Sequence, residues 1–343
     1  MAELESIELS VPLHIFEQYC PLRVSGAFAY NVARVPQAVP LIERVGKPMA
    51  DFMNFPTPRE HVLTYGNTTI GIIPDICLVS HFQVGSWQVL YRPTETGNIR
   101  RWGLPLMIPN FSRLKDGIFI EKGTTLPIHG FGRDLPWTVI ELDTTSPTGW
   151  AQPGHSPLPV GIRSSTTHLA MQLSSSDATR PDYPYEFTFT ATITAGEGTL
   201  TYTLLMENHS SEPMPIAPGF HPYFAVTQSE KADVVTSGPP GFDTHAFDWV
   251  QHIPDNPYPF PHQVTLQFPR RGTLTMSELP QDGSYALANM QVWSEPPTRP
   301  DHDFICFEPT VGSEDALNRP ADRLNIATRS TGKIVLQLRA QPL

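Results

Sequence analysis

The 343 residues predict an all-β protein, a sandwich or barrel of short strands. Three observations carry this. Apolar and polar residues alternate with period two in several short runs, as strands with one buried face require. Proline, at 37 residues, is about twice its usual ~5% share. It lacks the N–H that a strand ladder needs and clashes inside helices, so it marks turns, loops and strand edges. Charged residues make up only 17% of the chain, too few for long solvent-facing helices.

The clearest element is a hairpin. Phe187, Phe189, Ala191 and Ile193 alternate with Thr188, Thr190, Thr192 and Thr194. Gly196-Glu197-Gly198 supplies the turn, and Leu200, Tyr202 and Leu204 resume the alternation. Residues 83–91, 264–268, 272–276, 290–293 and 334–338 read as further strands, punctuated by Gly, Pro, Asp and Ser. Helical signal is confined to one short turn within 314–323, limited by Pro320. Residues 254–262, PDNPYPFPH, read as an irregular loop. No repeat of 20–50 residues appears, which excludes a solenoid or propeller array. Residues 1–61 differ in texture: Pro36, Pro40, Pro48, Pro56 and Pro58 fall where there is little alternation. They are expected to be an N-terminal extension that wraps the main domain or mediates contacts. Residues 62–343 are expected to be that domain, opening with the hairpin VLTYGNTTIGIIP.

Composition narrows the partners. The net charge of -11 repels phosphate backbones, so nucleic acid is not an expected partner. A local basic pocket for a small phosphate is compatible with it. Cys20, Cys77 and Cys306 are odd in number and form no C-x-x-C pair, consistent with buried free thiols in a reducing compartment. The N-terminus is acidic with no long apolar run, unlike a secretory signal. No segment approaches the roughly 20 apolar residues of a spanning helix. A cytoplasmic protein without a membrane partner is expected. The sequence does not fix its oligomeric state.

Four clusters set ionisable residues in apolar or glycine-rich surroundings: residues 103–113, 129–137, 218–224 and 306–318. In the third, His221 lies between Phe220 and Pro222, with Tyr223 and Phe224 beyond; such a histidine titrates near neutral pH, or else is a core histidine bonded to a carbonyl. Glu308 ends the apolar run Phe304-Ile-Cys-Phe307, where desolvation would raise its pKa toward that of a general base, unless it is a rim glutamate closing a strand. His129 opens a Gly-Phe-Gly turn that lets a ligand approach the backbone. Arg113 suits paired hydrogen bonds to hydroxyls or a phosphate, or simply closes a strand. Arg133 and Asp134, taken alone, read as a surface ion pair. Trp102, Trp137 and Trp293 suit either sugar stacking or core packing. Other chemistries find no support: the chain has no H-E-x-x-H, no G-x-S-x-G, no phosphate-binding lysine loop and no dinucleotide fingerprint.

Together the clusters resemble the aldose 1-epimerase (galactose mutarotase-like) superfamily. They occur in its order: G-x-P-x-x-x-P-N ending in Arg113, then His129-Gly-Phe-x-Arg133, then G-x-His221-Pro-Tyr-Phe, then the late Glu308-Pro. Met206-Glu-Asn208 ends the strand before the third cluster, and the likeness covers residues 62–343. The resemblance implies a β-supersandwich of large antiparallel sheets with a sugar in a groove on one of them. It implies an isomerase that opens and recloses a hexose ring. His221 would be general acid at the ring oxygen, cationic at neutral pH, and Glu308 general base at the anomeric hydroxyl. His129 would assist by hydrogen bonding. Arg113, Asn110, Arg133, Asp243 and Trp293 would contact the sugar, with Asp248 an alternative to Asp243. No metal or organic cofactor is implied. The ligand would be a free or phosphorylated hexose, with Arg100, Arg101, Arg113 and Arg133 available for a phosphate. A carbohydrate-binding protein that has lost catalysis is the competing reading; a pure binder has no need of His129, His221 and Glu308 together.

Overall fold

The computed structural model describes residues 60–93, 101–145 and 165–343. All but the last two residues of the expected extension, and Arg100, lie outside the described residues. Among the described residues the regular structure is strands and short 3-10 turns, with no α-helix.

Two large antiparallel sheets carry the architecture. One has ten strands: eight run in space from His61–Tyr65 through Thr68–Ile73, Leu78–Val84, Leu104–Met107, Gly219–Phe220, Phe304–Thr310 and Asn289–Trp293 to Asp255–Pro259 at the edge, while Trp87–Gln88 pairs with Leu78–Val84 and Tyr223–Ala225 with Phe304–Thr310 off that path. The other has eight: Val235–Thr236, Gln263–Phe268, Gly272–Glu278, Thr331–Pro342, Thr199–Asn208, Phe187–Gly196, Ser165–Ser174 and Thr138–Thr145. The hairpin expected near residue 190 lies inside this sheet, between Thr331–Pro342 and Ser165–Ser174, with Gly196 paired to Thr199 and Gly198 turning the chain at φ 59°. The one helical signal becomes the 3-10 turn Ala316–Asn318.

The sheets pack face to face because each strand presents one apolar row. Phe189, Tyr202, Leu204 and Leu336 from the smaller sheet meet Ile70, Phe82, Phe220 and Phe307 from the larger in one continuous core. Tyr202 links them: its ring meets Phe220 edge-on at 5.0 Å, and its hydroxyl lies 3.3 Å from the Cys77 sulfur.

One strand departs from simple alternation. Every residue of Phe304–Thr310 is buried. Ile305 and Phe307 enter the sandwich core, while Phe304 and Cys306 point the other way and pack with Tyr223 and Trp293. Glu308 shares that second face by period two. The expectation of an irregular loop over 254–262 needs correction. Asp255–Pro259 is a strand paired with Asn289–Trp293. It lies at the sheet edge, where prolines need donate to no outer neighbour.

Candidate active site

The first site element is a break in a strand. Gly219–Phe220 and Tyr223–Ala225 both pair with Phe304–Thr310, Gly219 opposite Thr310 and Tyr223 opposite Cys306. The interruption falls at His221-Pro222, where proline lacks a ladder donor. The register on either side sets the midpoints, His221 and Glu308, facing each other. His221 Nδ1 lies 3.5 Å from Glu308 Oε1. On its far side Glu308 pairs with Gln291. The next rung runs Tyr223, Cys306, Trp293, Asp255. These two rungs floor a cleft of about 510 Å³.

The floor is aromatic and dry. The His221 ring stacks on Tyr223 at 4.5 Å and 4°, and Trp293 meets it edge-on at 5.7 Å. His221 is 5% exposed and Glu308 2%. Burial therefore holds the His221 imidazolium well below the usual histidine range, with His129 and Arg133 adding repulsion. Burial pushes the Glu308 carboxyl well above the usual range; Asp255 adds to the rise and Arg133 opposes it. Burial thus disfavours both the imidazolium and the carboxylate. The direction at His221 is opposite to that of a histidine held cationic by a carboxylate, because burial is the largest cause.

His129 reaches the cleft from a tight turn. Ser112 and His129 are both in the left-handed region, at φ 53° and 64°. They exchange bonds: His129 N–H donates to the Ser112 carbonyl at 3.0 Å, and Ser112 N–H donates to His129 Nδ1 at 3.1 Å. An Nδ1 that accepts leaves the ring proton on Nε2. Burial, then Arg133 and Arg113, lower its pKa to about 3, so the ring is a neutral donor. The His129 and His221 rings lie 5.5 Å apart. Gly130 lets the turn press against the first cluster, since a Cβ there would sit 2.1 Å from the Ile108 carbonyl oxygen.

The walls carry charge. Arg113 is exposed at the cleft, and among the described residues its side chain has no hydrogen bond or ion pair. Arg133 lines the same cleft and donates to the Ile128 carbonyl at 3.3 Å. Arg101 pairs with the buried Glu295 carboxylate and lies 5.6 Å over the Trp293 ring. Asp255, Gln291, Glu295 and Glu314 also line the cleft, though none was singled out in the sequence. Gln291, two residues before Trp293 on an alternating strand, was within reach of the period-two argument. Asp255 was masked by the proline-rich reading of its segment.

Two expected sugar contacts lie elsewhere. Asn110 is fully buried and absent from the lining; its Nδ2 donates to the Ser112 carbonyl at 2.9 Å and so braces the turn that presents Arg113. Asp243 is exposed and also absent from the lining, because its carboxylate caps its own 3-10 turn, accepting from His245 N–H at 3.0 Å. Asp248 is spent likewise on the Val250 and Gln251 amides. Trp102 and Trp137 are core residues, leaving Trp293 as the tryptophan of the cleft. His221, Cys306 and Glu308 form a group of potential metal donors, their ligand atoms within 4.8 Å of one another.

The family model for aldose 1-epimerase matches residues 115–246. A candidate glucose-6-phosphate 1-epimerase of Salmonella typhimurium is 31% identical over 165 residues, 47% of this chain and 45% of that protein. The likeness is to the aldose 1-epimerases. The chain spans about half the length of the curated relative it matches. Among solved structures, a protein of Synechocystis sp. PCC 6803 superposes with a TM-score of 0.69 at 21% identity, covering 84% of this chain and 97% of that one. A galactose mutarotase related enzyme of Lactobacillus acidophilus gives 0.61 at 15% identity, covering 82% and 97%. The fold of this chain is thus galactose mutarotase-like, mostly strands in large antiparallel sheets. Every strand residue that lines the cleft belongs to the ten-stranded sheet, and loops supply the rest.

Proposed function

We propose that the chain is an isomerase of the aldose 1-epimerase type, interconverting the α and β anomers of an aldohexose. The observation that carries this is the His221–Glu308 pair, 3.5 Å apart at the floor of an open, hexose-sized cleft. Ring opening needs one proton removed from the anomeric hydroxyl and one delivered to the ring oxygen. The pair holds one movable proton, resting on Glu308. Passing it to His221 Nδ1 yields a carboxylate and an imidazolium. Glu308 then takes the anomeric proton as the C1=O bond forms. His221 donates to the ring oxygen as the C1–O5 bond breaks. Rotation about C1–C2 and closure on the other face reverse each transfer, so no proton is gained or lost. His129, a neutral Nε2–H donor, hydrogen-bonds near the ring oxygen. Trp293 supplies an apolar wall, and Arg113 and Arg133 orient hydroxyls. The buried free thiols Cys77 and Cys306 fit a reducing, cytoplasmic setting, which is part of the proposal.

Polarimetry on fresh α-glucose and α-galactose tests it. The chain should speed the decay of optical rotation, and Glu308→Gln should cut the rate by roughly 10²–10⁴-fold with folding intact. A rate equal to the buffer blank for every free and phosphorylated hexose would reject the enzyme. Sugar binding without turnover would leave the carbohydrate-binding alternative.

A hexose 6-phosphate is the second reading, favoured by Arg101, Arg113 and Arg133 on one cleft lining. Arg113→Ala then separates the substrates. It should raise KM about tenfold or more for the phosphorylated sugar, the loss of one charge-assisted contact. The free sugar, which Arg113 holds only through neutral hydroxyls, should lose a smaller factor, about threefold to fivefold.

A further inference from the structure

We propose that His221, Cys306 and Glu308 form an inhibitory site for a thiophilic divalent cation such as Zn²⁺. The site uses the acid–base pair of the reading above, so its inhibitory effect rests on that reading; its metal binding does not.

The donors are the set zinc prefers: an imidazole nitrogen, a thiol sulfur and a carboxylate oxygen. Their ligand atoms lie within 4.8 Å of one another. Around a tetrahedral zinc, bond lengths of about 2.0–2.3 Å place neighbouring donors roughly 3.4–3.7 Å apart. The His221–Glu308 contact, at 3.5 Å, already has that spacing. Cys306 joins by period two, two residues before Glu308 on the same face of one strand. It is a free thiol.

A second observation points to a ligand. His221 Nδ1 is buried without a hydrogen-bond partner and faces Glu308. A buried polar atom left unsatisfied is costly, and a metal ion would satisfy it. Three protein donors leave a fourth position toward the cleft for water or a sugar hydroxyl, the pattern of an open site. Binding forms metal–nitrogen, metal–sulfur and metal–oxygen bonds, and the protons of the Cys306 thiol and the Glu308 carboxyl leave to solvent. Nothing is oxidised or reduced. The added charge of the ion replaces two protons, so the buried floor gains no net charge. Neither His221 nor Glu308 can then exchange a proton with a sugar.

Cobalt(II) titration of the full chain tests the site without reference to activity, because a cobalt–thiolate bond gives an intense charge-transfer absorption. The wild type should develop that band, and Zn²⁺ should bleach it. Cys306→Ser should lack the band, and Cys77→Ser should keep it. Zn²⁺ should raise the melting temperature of the wild type but not of Cys306→Ala, a check that survives if the serine variant folds poorly. Where mutarotation is measurable, Zn²⁺ should inhibit the wild type, and Cys306→Ser should need more than about 100-fold higher metal for the same inhibition. Absence of the band in the wild type, or an equal band in Cys306→Ser, would overturn the site. Mutarotation absent with the band present would reject the enzyme reading and leave the metal site standing.

Discussion

His129 shows how one hydrogen bond decides what a side chain can do. Because the Ser112 amide occupies Nδ1, protonating His129 would cost that bond as well as the desolvation of a cation near Arg133 and Arg113. Its folded pKa of about 3 lies below the ordinary histidine value of about 6.5. Between those values the unfolded chain binds one more proton than the folded one, so stability falls on acidification, by up to ~1.4 kcal/mol per pH unit. His221, also lowered, acts in the same direction. Glu308, raised, acts oppositely: its contribution is full below 4.5 and is lost as pH rises through its folded pKa. Denaturant melts between pH 7 and 4 should therefore show a shallower acid limb for His129→Asn and a steeper one for Glu308→Gln. Parallel limbs in all three proteins would contradict the burial argument.

The site elements are held by close backbone approach. Gly130 has φ 68°, and its missing Cβ lets the 129–137 turn touch Ile108. Gly130→Ala adds left-handed strain of about 1–2 kcal/mol and a backbone collision, and it should shift His129. Gly117→Ala is the control, since Gly117 has φ 70° with nothing within 4 Å of a new Cβ. Both variants should lose stability, but the loss of kcat should be confined to Gly130→Ala. Equal kcat in the two would separate the turn from the chemistry. The strands were legible in the sequence because period two is local, and so was the clustering of His129, His221 and Glu308 in unusual surroundings. The facing of His221 and Glu308 was not legible from the residues alone, since it arises from a register set by Gly219 and Tyr223 against a strand far along the chain. Asn110 and Asp243 misled for a common reason: short polar side chains also satisfy nearby backbone groups, and both do so here. The 254–262 segment misled because proline vetoes an inner strand but not an edge.

At the scale of the molecule, the sandwich core packs directly beneath the cleft floor. Strand Phe304–Thr310 has its two faces committed to different tasks, and Phe307, between Cys306 and Glu308, anchors the core side. Its ring meets Phe242 edge-on at 5.4 Å. Phe189 lies in the same core but on the opposite sheet, stacked on Phe187 at 4.1 Å. Truncating either to alanine removes a fully buried ring and should cost about 3–5 kcal/mol. The two variants should nevertheless differ in function. Phe307→Ala loosens the strand that sets the His221–Glu308 separation, and acid–base catalysis depends on that geometry. It should lower kcat measured well below its melting temperature, with KM less affected. Phe189→Ala weakens the fold without touching the rung and should keep a near wild-type kcat under the same conditions. Matched melting temperatures with matched kcat values would mean that the cleft floor does not depend on the packing beneath it.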